Sequence, residues 1–223
     1  QSDGGDHFIA ATRVFAPLSA SIGYKRSLTS QWYSQLNVSF TQRPPTYYEL
    51  FADGLHHATE NYEKGNVNNA MERALTVDWG VKYKLGEEKF GLNLYLTEFS
   101  NYLTLKPSAV CLGTPCYEYS GVKARLYGFE LEGKKVLFKT TESGLWMGTY
   151  KADYTFGEDV SNSAPLPRIA PMRLTLGLAY QQASFSAALD VLHAFSQNRY
   201  NDNKGPTAGY TFYGASISNR IFS

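Results

Sequence analysis

The segment Arg43–Glu72, RPPTYYELFADGLHHATENYEKGNVNNAME, gathers Glu49, Asp53, His56, His57, Glu60 and Glu63. Imidazole nitrogen together with carboxylate oxygen is a donor set that suits zinc. Neighbouring side chains on an extended segment diverge, so His56 and His57 serve one ion only if the chain turns between them. Structural zinc is closed in by four protein ligands. An ion that must be released again needs fewer, so a partial set is what a capture site would show. The plain alternative is a pair of surface histidines in a polar loop. Gly54 and Gly65 are expected to supply the bends that turn His56 and a carboxylate inward. Arg43-Pro44-Pro45 stiffens the entry to the segment, because proline fixes φ.

Other candidate groups are weaker. His7 lies in SDGGDHF beside Asp3 and Asp6. His193 shares its phase with Phe185, Ala187, Leu189, Val191 and Phe195, so it belongs to an apolar face, near its outer edge. Zinc sites usually need four ligands and tighter Cys-x-x-Cys pairs, and the chain has only two cysteines, Cys111 and Cys116 in CLGTPC. They read as a local disulfide at a loop tip, which implies an oxidising compartment. No catalytic arrangement appears: there is no nucleophile elbow, no phosphate loop and no His-Glu-x-x-His. An enzyme is not expected.

The 223 residues carry a formal net charge of +1, so nothing points to nucleic acid. No apolar run reaches the roughly 18 residues of a membrane-spanning helix. The start, QSDGGDHF, lacks the basic region and apolar core of a signal peptide. Tyr occurs 17 times, which suits surfaces where one end of the ring is wet.

The elements that must carry the insertion alternate with period two. In ALTVDWGVKYK, Leu75, Val77, Trp79, Val81 and Tyr83 take one face, while Thr76, Asp78, Lys82 and Lys84 take the other. The pattern returns in WYSQLNVSF, LYGFELEG, LWMGTYKADYTF and MRLTLGLAY. FGLNLYL starts the same way and loses phase near Thr97–Phe99, where a bulge or an exit from the membrane is expected. About nine strands result. Their connections alternate in length. Short ones fall near Leu28–Ser30, Gly86–Glu88, Thr140–Glu142 and Gln181–Ala183. Long ones fall near Arg43–Glu72, Pro107–Tyr117, Gly157–Ala170 and Asn198–Ala208. One face holds Asp78, Lys82, Glu130, Glu132, Lys151, Asp153, Arg173 and Asp190; the other is apolar and ends in aromatics. A soluble sandwich would explain one wet face but not the one-sided long loops. An antiparallel transmembrane β-barrel explains both, with Trp79, Leu176 and Leu189 toward lipid. Closed bacterial barrels of this kind use an even number of strands, so the chain is expected to be part of a larger one.

The residues of the insertion also carry a resemblance. An Arg-Pro pair, Glu-Leu-Phe, Gly-x-His-x-Ala-Thr, Glu-x-Gly-Asn and a Glu entering the next strand follow in order. They are Arg43, Pro44, Glu49, Leu50, Phe51, Gly54, His56, Ala58, Thr59, Glu63, Gly65, Asn66 and Glu72. YGFELEG, PLPRIAPMRLTLGLAY and DVLHAFSQNRY follow, also in order. Nearly the whole chain thus resembles the C-terminal barrel of TonB-dependent outer-membrane receptors. The resemblance implies a barrel of roughly 22 strands filled by a plug, of which residues 1–223 would be the C-terminal portion. The plug and its energy-coupling box are absent here, and two closing strands are expected beyond Ser223. It further implies a monomer in the outer membrane of a Gram-negative bacterium, in contact with lipid and coupled to the TonB complex through the plug. The His-bearing loop is most similar to the zinc-uptake branch, with zinc as cargo rather than cofactor. Haem or siderophore receptors share much of the same framework. A passive porin-like barrel or adhesin is the competing class.

Overall fold

The computed structural model describes residues 12–58, 60–140, 144–201 and 205–220. Nine strands form one antiparallel meander: β1 (Ser19–Ser27), β2 (Trp32–Arg43), β5 (Glu72–Leu85), β6 (Glu88–Cys111), β7 (Thr114–Thr140), β8 (Gly144–Asp159), β10 (Arg173–Gln182), β11 (Phe185–Ala194) and β12 (Tyr210–Asn219). Three short strands sit off this path: β3 (Asp53–His56), β4 (Asn61–Lys64) and β9 (Ala164–Pro165). The helix α1 (Tyr47–Phe51) is five residues long. The expected all-β, antiparallel barrel wall is what the chain forms.

Register explains the two faces. Trp79 stands opposite Leu36 and Leu94, and Asp78 opposite Asn37 and Tyr95. Leu176 stands opposite Tyr150 and Val191, and Leu189 opposite Leu178 and Ala215. Arg173 pairs with Asp153 across β10 and β8, at 3.0 Å. Polar side chains therefore collect on one side, where a groove of about 420 Å³ is lined by Gln35, Asn37, Asp78, Lys82, Asn93, Glu130 and Glu132. Apolar side chains collect on the other. Tyr150 lies across Gly133 there, so closely that a Cβ on Gly133 would fall 2.1 Å from its ring.

Two aromatic belts bound the apolar side. At the short-turn end Trp32 packs on Tyr83 and Phe90. Phe138, Trp146, Tyr180 and Phe185 continue the row. At the long-loop end Tyr127 stacks on Phe156, and Phe129 meets Tyr154. Trp146 and Phe156 share one face of β8 about ten residues apart, the length of strand that crosses the apolar layer.

The expected bulge is real and lies slightly later. β6 gains one residue, Ser100, against β5, and sets Ser100 and Asn101 together against the single Lys123 of β7. The connection Pro107–Tyr117 is not the long loop expected. β6 and β7 run on as a hairpin to Cys111 and Thr114. Its two-residue turn has positive φ at both Leu112 (50°) and Gly113 (80°), which matches the twist of paired strands. Pro107 brings no N–H donor, and the register shifts just after it. Cys111 and Cys116 are disulfide-bonded at this tip.

Candidate functional site

The connection between β2 and β5 is an ordered subdomain. It starts and ends at one register pair, Arg43 opposite Glu72. Thr46 caps α1: its hydroxyl accepts from the Glu49 N–H, and the Glu49 carboxylate accepts from the Thr46 N–H at 2.6 Å. This reciprocal arrangement satisfies two donors that a helix start leaves open. The same carboxylate takes both Arg43 Nη atoms, at 2.8 and 2.9 Å. Arg43 also reaches Glu72, which in turn accepts from the Leu103 N–H. Burial pushes the Glu49 carboxyl up, but the hydrogen bond and charge of Arg43 and the Thr46 N–H outweigh it, and Glu49 titrates below the usual range.

The returning strand locks onto this frame. Gly65 donates to the Ala52 carbonyl at 2.6 Å, and Asn66 donates to that of Glu49. A Cβ on Gly65 would lie 2.4 Å from the Phe51 nitrogen. Gly65 is therefore needed for close approach and not for a bend, and neither it nor Gly54 takes the left-handed backbone that favours glycine. Asn69 is buried and donates to the carbonyls of Glu49 and Tyr119. Asn66 donates to Glu118.

Two long connections meet over β7. β8 stops pairing with β7 at Asp159 opposite Ala124. Higher up β7, β4 pairs in parallel, with Tyr62, Glu63 and Lys64 against Cys116, Tyr117 and Glu118. Glu63, only 8% exposed, accepts from the Tyr119 hydroxyl at 3.2 Å and from Arg168 at 3.4 Å. Arg168 belongs to the connection after β8. That connection also sends Leu166 and Ile169 against Val122, Ala124, Leu126, Phe99 and Tyr102, forming the main buried apolar cluster.

The predicted donors separate into two groups. Glu49 is enclosed in the frame, committed to Arg43 and the helix cap. Asp53, His56, His57 and Glu60 are exposed on and beside the β3–β4 hairpin. His56 ends β3 opposite Asn61, and Glu60 has φ 53° at the turn. Asp53 accepts from the Tyr62 hydroxyl at 2.9 Å; that bond, with some burial, raises the Tyr62 phenol. Among the described residues no group of three or more His, Cys, Asp or Glu is arranged to hold a metal. His193 bonds Thr211 through Nδ1 at 2.9 Å and packs edge-on to Phe195, as a residue of the outer belt. His7, Asp3, Asp6 and Thr59 lie outside the described residues. Sequence reasoning gave no role to Asn69, Tyr119 or Arg168. Arg168 is separated by 105 positions from the carboxylate it meets, and nothing local to it signals that contact.

A meander with an aromatic belt at each end and long connections on one side defines an outer-membrane barrel wall. Residues 18–222 match the family described as TonB dependent receptor-like, beta-barrel. The chain belongs to this family, and with it to the Gram-negative outer membrane. Among solved structures it is similar to the copper transporter OprC, with TM-score 0.77, 18% identity, and coverage of 92% of this chain and 31% of that one. A ferric enterobactin receptor (PfeA) mutant from Pseudomonas aeruginosa gives TM-score 0.67, 15% identity, and coverage of 92% and 33%. The siderophore receptor PirA from the same organism gives 0.65, 15%, 92% and 36%. The chain thus spans about a third of the length of these proteins.

Proposed function

We propose that this chain is the C-terminal part of the barrel of a TonB-dependent importer, and that its cargo is zinc, first held by the connection between β2 and β5. The observation that carries the reading is the division of that connection. Its frame is braced by Arg43, Glu49 and Glu72, while its hairpin presents His56, His57, Asp53 and Glu60 outward. Such an open donor set favours capture followed by release, in contrast to the closed shell of a structural site. Energy coupling would run from the TonB complex through a plug seated against the polar wall. Calorimetric titration of zinc into the full-length protein tests the cargo. His56→Ala with His57→Ala should weaken binding about tenfold or more, and unchanged affinity rejects the hairpin as the zinc site.

A second reading, a ferric siderophore as cargo, draws on a different surface. Tyr47 and Tyr48 on α1 are 65% and 70% exposed and meet edge to face. Exposed rings of this kind suit a planar, partly apolar chelate better than a bare ion. Under this reading Tyr47→Ala with Tyr48→Ala abolishes chelate binding, and the histidine variants do not.

A further inference from the structure

The β6–β7 hairpin continues past the last pair of β8 with β7, and β4 covers the edge of β7 there over three pairs: Tyr62–Cys116, Glu63–Tyr117 and Lys64–Glu118. The two ends of β4 are held differently. At its lower end, Gly65 and Asn66 donate to the carbonyls of Ala52 and Glu49 and so belong to the frame. At its upper end, Tyr62 stands beside Cys116. Tyr62 also donates its hydroxyl to Asp53 at 2.9 Å, and the neighbouring Asn61 stands opposite His56. The position of Tyr62 therefore sets where the hairpin donors stand. Cys116, in turn, sits at a weak point of the β6–β7 ladder. Register passes from Pro107–Tyr117 to Val110–Pro115, so Ser108 and Ala109 lie together against the single Cys116. Pro107 and Pro115 bring no N–H donor. Beyond this shift only the pairs Val110–Pro115 and Cys111–Thr114 remain. The turn that closes them holds Leu112 at φ 50°, a conformation costly for a side chain of this kind. Leu112 is 88% exposed, so packing does little to offset that cost. The Cys111–Cys116 disulfide spans the shift and ties the tip to the residue where β4 begins to pair. Cys116 is 2% exposed, and Cys111 is partly exposed.

We propose that Cys111 and Cys116 are positioning residues for the β3–β4 hairpin: their disulfide fixes the top of β7 for β4 to dock on, and breaking it releases the hairpin while the frame and the wall stay folded. A strand docks on an edge that holds one register. Without the bridge the short tip slips or frays, and Cys116 no longer offers Tyr62 a fixed partner. The loss then passes from Tyr62 to Asp53 and His56 and stops at Gly65, where α1 takes over. Closing so short a loop constrains little chain, so the effect is local. The consequence for cargo rests on the zinc reading: a released hairpin no longer holds its donors in one arrangement.

The test is amide hydrogen exchange of the full-length protein in detergent, before and after reduction with dithiothreitol. The reagent gives two electrons and two protons to the bridge, leaving two thiols, and closes to a cyclic disulfide itself. Exchange of the β3 and β4 amides should speed up about tenfold or more, while Gly65–Asn69 and the wall keep their protection. Cys111→Ser with Cys116→Ser should do the same without reductant. Adding Leu112→Asn to that pair should restore much of the protection, because asparagine accepts the left-handed turn and firms the tip without sulfur. Unchanged exchange of β3 and β4 after the bridge is broken overturns the proposal. So does a loss that spreads equally to Gly65–Asn69 and the wall, which would make the disulfide a general brace. A failure of Leu112→Asn to restore any protection also overturns it, because order of the tip would then not be what holds β4. If the serine pair does not fold, judged by heat-modifiable gel mobility, reduction of the folded wild type decides alone. Zinc is titrated separately, into the serine pair without reductant, where affinity should fall about tenfold. A wild type that binds no zinc removes the zinc reading and leaves the exchange result standing.

Discussion

The frame of the β2–β5 connection and its hairpin differ in almost every physical respect. In the frame, Glu49 is 8% exposed and its carboxylate is saturated by Arg43 and a helix cap. Gly65 and Asn69 close the remaining backbone groups. In the hairpin, the side chains of His56, His57, Asp53 and Glu60 stand out to solvent on four-residue strands. The residues that make the segment recognisable, Arg43, Glu49, Gly65, Asn66 and Glu72, are mostly frame. A motif can therefore mark how a loop is held and leave open what it holds.

The contrast can be broken hardest at Gly65. Gly65→Val would drive a side chain into the backbone of α1, at a cost of about 1–3 kcal/mol. Limited proteolysis should then cut the connection while the barrel keeps its heat-modifiable mobility. Glu49→Gln comes next. It loses the charge opposite Arg43, and about 1–2 kcal/mol follows, kept low because Arg43 is partly exposed and retains Glu72. The same protease assay should show partial cutting. Acid gives a smaller, graded version. The Glu49 carboxyl is lowered in the folded protein from an ordinary value of 4.5. Its contribution is fully present above that value and is lost as pH falls through the lowered one. Protease resistance of the frame should decline only below about pH 4.5, and Glu49→Gln should remove the dependence. His56→Ala sharpens the contrast from the other side. It should shift thermal stability by no more than about 0.5 kcal/mol, while zinc titration detects its loss.

Much of the wall was legible because parity is a local property. Asp78 and Trp79 are neighbours, and their opposite faces follow from the pleat alone. The bulge near Phe99 showed as a break in the same pattern. The β6–β7 hairpin did not show: above the membrane neither face must be apolar, so no alternation marks it, and Pro107 disguises the strand. Of the site, the donor types and the disulfide were readable. The role of Glu49 was not, because a cap and a ligand call for the same carboxylate. The meeting of Glu63 with Arg168 depends on two distant connections arriving at one place above β7.

The parallel pairing of β4 with β7 also sets an order of events. Residues 62–64 can find residues 116–118 only after β5, β6 and β7 have been laid side by side. Antiparallel neighbours close small loops and form early; a parallel contact across some fifty residues carries a larger closure entropy and forms late. The connection should gain its amide protection after the wall has zipped up. In pulse-labelled refolding, the Tyr62–Lys64 amides would be the last of this region to resist exchange. A barrel that stalls during insertion would then reach the cell surface with its wall complete and its β3–β4 hairpin still unfastened.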